Sequence, residues 1–246
     1  MPVRREALIS QADTSSDSGR GVWRQALLDG SASIRELARF HLGKLGEIHW
    51  PGVYRRTLIE QPRSLAALSG LGETGDRSDL IAIRSFLESP LPGRRRAAVR
   101  AFAKLGGESV VADLIGYLQD DSPGVVREVR KHLGASPSAL DGKWLCRVAM
   151  EDDRHQVRAA ALRLIYATGK WRSLPWLIRA SGHPDRPTAE LAQGLVEAWF
   201  TPPGCNRVFT RPSNYERQAI IEALDESRRE MEEPFVSKLE LWLEES

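Results

Sequence analysis

The chain has 246 residues, 41% of them apolar and 28% charged, and its 35 basic and 33 acidic groups give a formal net charge of +2. Such totals exclude a disordered polypeptide, and no stretch reaches the roughly 18 consecutive apolar residues that a membrane-spanning helix requires. Cys146 and Cys205 are too few for a disulfide framework, so a reducing, cytoplasmic setting is expected. Charge is uneven along the chain: residues 1–110 carry 17 basic and 12 acidic groups, residues 111–212 carry 14 and 11, and residues 213–246 carry 4 and 10. The body is therefore mildly basic and the tail acidic, well short of the density of a protein that depends on phosphate neutralisation.

Taken in chain order, the sequence repeats itself. The segment Ser33-Ile-Arg-Glu-Leu-Ala-Arg-Phe-His-Leu-Gly-Lys-Leu-Gly46 has counterparts beginning at Val3, Ser64, Arg94, Val125, Val157 and Thr188. Their small marker residues are Ala7, Ala38, Ala67, Ala98, Val129, Ala161 and Ala192, at spacings of 31, 29, 31, 31, 32 and 31. Before several of them runs a second apolar-periodic segment, such as Val22–Leu28, Leu80–Leu87, Val110–Leu118 or Leu174–Ile178. Apolar residues recur at helical spacing, and the turn signals Asp29-Gly30, Ser89–Gly93, Asp121–Gly124 and His183–Asp185 fall between them. Each unit thus reads as two helices. A helix pair cannot bury its apolar stripe alone, so the fold class expected is all-α, an α-solenoid of stacked antiparallel pairs over residues 1–200.

The segments Ile34-Arg35, Arg96-Ala-Ala-Val-Arg-Ala-Phe-Ala-Lys-Leu-Gly106 and Val157-Arg-Ala-Ala-Ala161 resemble the second helix of short bacterial HEAT repeats, of the kind also found in phycobilisome-lyase-like proteins. The resemblance implies scaffolding more often than catalysis. It also implies an ion pair between an acidic turn residue and the arginine of the following helix, here Asp29 with Arg35 and Asp153 with Arg158. The units marked by Ala67 and Ala98 depart from this, with Ser64 and Arg95 at the arginine position and no acid in the preceding turn.

Both ends break the pattern. The chain opens in the second helix of a unit, so residues 2–11 are either a cap or the continuation of repeats lying upstream, the latter being preferred. After Ala192 the period fails at the Pro- and Gly-containing segment 201–212. Asn214–Glu232 then reads as an acidic helix and Pro234 opens a last one with Phe235, Leu239 and Trp242 on one face. Residues 201–246 are expected to be a loop and capping helices.

Chemical motifs are weak. Gly70-Leu-Gly-Glu-Thr-Gly75 has dinucleotide-loop spacing but closes a helix instead of joining a strand to one, so it is read as a left-handed C-cap, like Gly43–Gly46. His41, His49, His132, His155 and His183 lack ligand spacing, and no metal or cofactor is expected. Glu151-Asp-Asp-Arg-His155 is the densest polar cluster and is read as turn and cap chemistry. Trp144, Trp171, Trp176 and Trp199 are read as filling gaps between helix pairs.

The strongest surface signal follows from the repeat register. Second helices line the concave side of such stacks, and their exposed slots hold Arg96, Arg100, Arg127, Lys131 and Arg163, a basic stripe ended by Glu190 and Glu197. It reads either as a groove for an acidic partner or as a solvated arginine-rich face. The function expected is a non-catalytic protein-binding scaffold. An alternative is a nucleic-acid enzyme resembling HEAT-like alkylpurine DNA glycosylases, for which Trp144, Trp171, Asp152 and Arg163 supply the residue types. A lesser alternative is a phycobilisome-type chromophore lyase.

Overall fold

The computed structural model describes Glu6, Ser10, residues 17–202 and residues 210–244. The repeat segment at Val3–Leu8 with its marker Ala7, Cys205 and most of the 201–212 segment lie outside the described residues. Among the described residues every regular element is a helix. The chain divides into two compact units, Met1–Ala112 and Asp113–Ser246. Each is a short α-solenoid.

In the first unit α1 (Asp17–Ala26) packs on α2 (Ala32–Lys44), α3 (Trp50–Glu60) on α4 (Leu65–Thr74), and α5 (Leu80–Leu87) on α6 (Pro92–Gly106). The second helices also touch one another, α2 against α4 and α4 against α6. In the second unit the turn Gly116–Gln119, which follows α7 (Val111–Ile115), packs on α8 (Pro123–Leu133). Then α9 (Gly142–Glu151) pairs with α10 (His155–Ala167), and α11 (Lys170–Ser181) with α12 (Arg186–Phe200). The second helices α8, α10 and α12 again touch in succession.

The sequence period sets this stacking. Ala38, Ala67, Ala98, Val129, Ala161 and Ala192 all have 0% of their surface exposed, each within a second helix. A small side chain there lets neighbouring helices approach closely, and the flanking Leu, Ile, Val and Phe residues fill the space on either side. Proline at the first helical position opens α6 and α8, where its missing N–H is not needed.

Glycine serves the same close approach. Gly70 and Gly72 lie inside α4, and Gly75 ends it with φ −74°, so the motif does not form the left-handed cap expected from its spacing. A Cβ on Gly72 would stand 2.5 Å from the Cβ of Ala101 and 2.6 Å from its Cα, so glycine is what lets α4 and α6 meet. Left-handed backbone does occur at Gly46, with φ 84°, where the corresponding expectation holds.

The expected turn pairing takes a different form. Arg35 Nη1 donates to the backbone carbonyl of Asp29 at 2.7 Å, and Arg158 Nη1 donates to that of Asp152 at 2.8 Å. Arg95 does the same to the carbonyl of Ser89 at 2.8 Å. All three arginines sit three residues before their marker and reach the carbonyl six residues back. Because the acceptor is backbone, the turn needs no acidic side chain, which is why the unit with Ser89 keeps the contact. The carboxylate partners come instead from the following repeat. Arg35 pairs with Glu73 of α4, and Arg158 Nη2 lies 2.8 Å from Asp185 Oδ2 in the turn before α12. These buried guanidinium groups tie a turn to the next repeat, and charged hydrogen bonds of this kind contribute about 1.5–3 kcal/mol each.

At the end of the second unit α13 (Asn214–Ser227) packs on α11. Ser213 and Glu216 form a capping box at its start. It stops at Ser227, earlier than Glu232, because the chain turns there with Glu230 N–H donating to the Ser227 carbonyl and Met231 becoming buried. The last helix, α14 (Glu233–Glu244), buries Phe235, Val236 and Leu239, stacks Trp242 on Phe200 at 5.0 Å and pairs Lys238 with Glu197 at 2.6 Å.

Substitution tests this packing in two directions. Gly72→Ala should lower the unfolding free energy by about 1–3 kcal/mol through overpacking, despite alanine's better helix propensity. Gly194→Ala in α12, where a Cβ meets nothing within 4 Å, should raise it by about 0.5–1 kcal/mol. Urea denaturation measures both, and stabilisation by Gly72→Ala would contradict the close approach of α4 and α6.

Candidate functional site

The second helices carry the predicted stripe as expected in exposure: Arg96, Arg100, Arg127, Lys131 and Arg163 are all exposed. Their grouping is narrower. Arg96 and Arg100 stand on α6 of the first unit, whereas Arg127, Lys131 and Arg163 stand on α8 and α10 of the second. Within the second unit a cleft of about 430 Å³ separates α8 from α10. Arg127 and Arg163 line it and Lys131 does not.

One further cation lines this cleft, Arg130, which the register argument missed. It follows the buried marker Val129 directly and is half-buried. On α8 the lining residues Pro123, Val126, Arg127 and Arg130 recur at helical spacing; on α10 Ala159 and Ala160 form the floor below Arg163. The alanines are too short to fill the gap, so the cleft remains open between arginines. Its lining contains no aspartate or glutamate. Burial, and then the repulsion of Arg163 and Arg127, holds the Arg130 guanidinium below the ordinary arginine range. Arg163 Nη1 donates to the carbonyl of Ala159, one turn back, at 3.1 Å. His155 lines the mouth, with Nδ1 3.9 Å from Asp185 Oδ2.

The first unit shows the same register filled differently. Arg39, like Arg130, directly follows its marker, and there Glu73 of the next second helix lies 2.9 Å from Nη1. Arg39 also donates to the Tyr54 hydroxyl at 3.1 Å. Burial pushes the Glu73 carboxyl up, and Arg35 and Arg39 more than offset this, so that it is held below the usual carboxylate range. The position in α10 that corresponds to Glu73 is Ala167, and the one that corresponds to Ser69 is Arg163. Where one repeat junction supplies a carboxylate, the other supplies a methyl group and a further cation.

The expected ends of the stripe are engaged elsewhere, Glu190 with Arg186 and Glu197 with Lys238. Of the polar cluster at 151–155, His155 lines the α8–α10 cleft, whereas residues 151–154 line a separate cleft of about 560 Å³ with Trp144 and Arg147. Its Asp152 carboxyl is held down to about 2 by hydrogen bonds from the Arg154 side chain, against burial, with Gln119 contributing. Arg154 also reaches back to Asp121 at 2.9 Å and to the Gln119 carbonyl, joining two turns. Asp153 is not the partner of Arg158. Trp171 and Trp199 are buried, their indole N–H groups donating to the Thr210 carbonyl and Ser173 Oγ, as expected of gap-filling aromatics. Trp176 and Trp144 are half-buried. The set Trp144, Trp171, Asp152 and Arg163 is spread over three clefts and does not converge on one reacting position.

No group of three or more His, Cys, Asp or Glu residues with metal-binding geometry is found among the described residues. No helix of the described residues is long and apolar enough to cross a membrane. The family model for HEAT repeats matches residues 62–133. That part of the chain is similar to HEAT repeats. The matched segment includes α4, α6 and α8, three of the second helices described above. No curated protein matches the chain.

The turn carboxylates give a pH signature. Asp185 is held down to about 2, first by hydrogen bonding from the Thr188 side chain and then by Arg158. Both aspartates have folded pKa values below their unfolded ones, so the unfolded chain binds more protons between roughly pH 4 and 2. The stability they contribute is complete above the unfolded value and is lost as pH falls through that window. Carbon-detected NMR titration should place both carboxyls near about 2, and Asp185→Asn should flatten part of the acid-side loss of stability. Titration of either near 4 would contradict the turn geometry.

Proposed function

We propose that the chain is a non-catalytic interaction scaffold that holds an acidic protein partner along the faces of its second helices, the concave side of such stacks. HEAT repeats are commonly protein-interaction scaffolds, and a rigid row of helices offers a long binding surface without a catalytic residue. The observation that carries the reading is the cleft between α8 and α10, lined by Arg127, Arg130 and Arg163 with no carboxylate in its lining. Like charges held together cost free energy unless an anion compensates, and guanidinium groups match carboxylate and phosphate geometry through paired hydrogen bonds.

Arg96 and Arg100 in the first unit and Lys131 in the second are further exposed cations on second helices, and the proposal includes them. Residues 1–200 are read as the repeat region, of the short bacterial type on its period near 31, and 201–246 as its loop and cap. A reducing cytoplasm is part of the reading: Cys146 is a free, buried cysteine whose thiol is pushed up by burial. 

Charge reversal tests the face. Affinity capture with the full chain, quantified by mass spectrometry, should recover an acidic partner that is lost with the combined variant Arg96→Glu, Arg100→Glu, Arg127→Glu and Lys131→Glu. The recovery should also fall as ionic strength rises. Unchanged recovery by the fourfold variant would contradict the choice of face.

A further inference from the structure

Carboxylate and phosphate groups both suit arginine, and the α8–α10 cleft discriminates between them by charge. Its three guanidinium groups carry three positive charges with no acidic lining residue. One carboxylate of a partner returns a single negative charge. A phosphomonoester returns about 1.5–2 near neutral pH, with three strong acceptor oxygens that several guanidinium groups can share. A phosphodiester of a nucleic-acid backbone carries one charge per group, as a carboxylate does.

The protein contains its own comparison for this argument. At the junction of α2 and α4 the register-equivalent arginine, Arg39, works together with Arg35 on a single internal carboxylate, Glu73. Two arginines are satisfied there by one acid. At the junction of α8 and α10 the corresponding acid is replaced by Ala167, the arginine count rises to three, and Ala159 and Ala160 keep the floor clear. The carboxylate beside the lining residue His155, Asp185, is occupied by Arg158 and Thr188. The cleft therefore keeps the counterpart of Arg39 without the acid, has Val126 in place of Arg35, and adds Arg127 and Arg163 where the other junction has Glu36 and Ser69.

We propose that the cleft between α8 and α10 receives a phosphomonoester carried by a polypeptide partner, gripped by Arg127, Arg130 and Arg163. This rests on the scaffold reading above and narrows it to a phosphorylated acidic segment. Arg130 is half-buried in the cleft, and the exposed Arg127 and Arg163 line it from the two helices. Val126, Ala159 and Ala160 are buried and give the cleft its apolar lining, and an apolar surround strengthens charged hydrogen bonds.

The test uses the full chain and three labelled nine-residue peptides rich in glutamate, with phosphoserine, aspartate or serine at the centre. Fluorescence anisotropy should show the phosphoserine peptide binding at least about tenfold more tightly than the aspartate one. Arg130→Gln or Arg163→Gln should abolish that difference, and inorganic phosphate should displace the peptide at concentrations where acetate does not. Arg127→Gln, at an exposed position, serves if Arg130→Gln melts early by circular dichroism. Equal binding of the phosphoserine and aspartate peptides, both weakened by Arg127→Gln, would overturn this proposal and leave the scaffold reading standing. A preference that survives Arg130→Gln, Arg163→Gln and Arg127→Gln would place the phosphate elsewhere and overturn the site. Failure of all three peptides to bind at low salt would overturn both readings. Tighter binding of an unphosphorylated-end DNA duplex, with steep salt dependence, would replace the phosphomonoester by a phosphodiester.

Discussion

Everything in the two units depends on the small, fully buried marker residue of each second helix. Ala38, Ala67, Ala98, Val129, Ala161 and Ala192 set how near successive helices come, and the remaining chemistry is arranged around that distance. Gly72 carries the same requirement one step further, to the point where even a methyl group has no room. Helices packed so closely leave the turn carbonyls at their ends short of partners. Arg35, Arg95 and Arg158 supply the donors, each reaching six residues back, and Arg35 and Arg158 at the same time draw a carboxylate from the next repeat.

This use of arginine explains where the cations are left over. Arg35, Arg39 and Arg158 are consumed by internal acceptors, and Arg154 by Asp152 and Asp121. The near-neutral net charge of +2 conceals the difference, because it counts paired and unpaired groups alike. Between α8 and α10 no lining acid intervenes, and three guanidinium groups stand around a floor of alanine and valine. A structural arginine and a binding arginine are thus distinguished by register and partner, since their residue type and even their repeat position are shared, as Arg39 and Arg130 are.

Much of this was legible in the sequence, and for identifiable reasons. The markers repeat at 29–32 residues because each must occupy the same packed place, and counting from them correctly placed Arg96, Arg100, Arg127, Lys131 and Arg163 at exposed slots. Arg130 escaped because it lies beside a buried marker, in a slot that is neither core nor surface. Its signal was present: it is three residues after Arg127, and the facing helix has consecutive alanines below Arg163. The acceptors of the turn arginines were not legible, because a sequence displays acidic side chains and hides backbone carbonyls. That is why Asp29 and Asp153 looked like partners when the carbonyls of Asp29 and Asp152 and the carboxylates of Glu73 and Asp185 were the acceptors. The dinucleotide-like glycines read in the sequence as a left-handed C-cap, but Gly75 has no left-handed backbone and Gly72 instead permits close helix packing.

The central claim is that a compensating anion is missing from one repeat junction and present at the other. Titration of the chain with inorganic phosphate, followed through the arginine Nε–Hε signals by NMR, examines both junctions in one experiment. The account predicts saturable shifts at Arg127, Arg130 and Arg163, with the signals of Arg35, Arg39 and Arg158 unmoved. Uniform small shifts across all arginines, or saturation at Arg35 and Arg39 with none at Arg130, would contradict it.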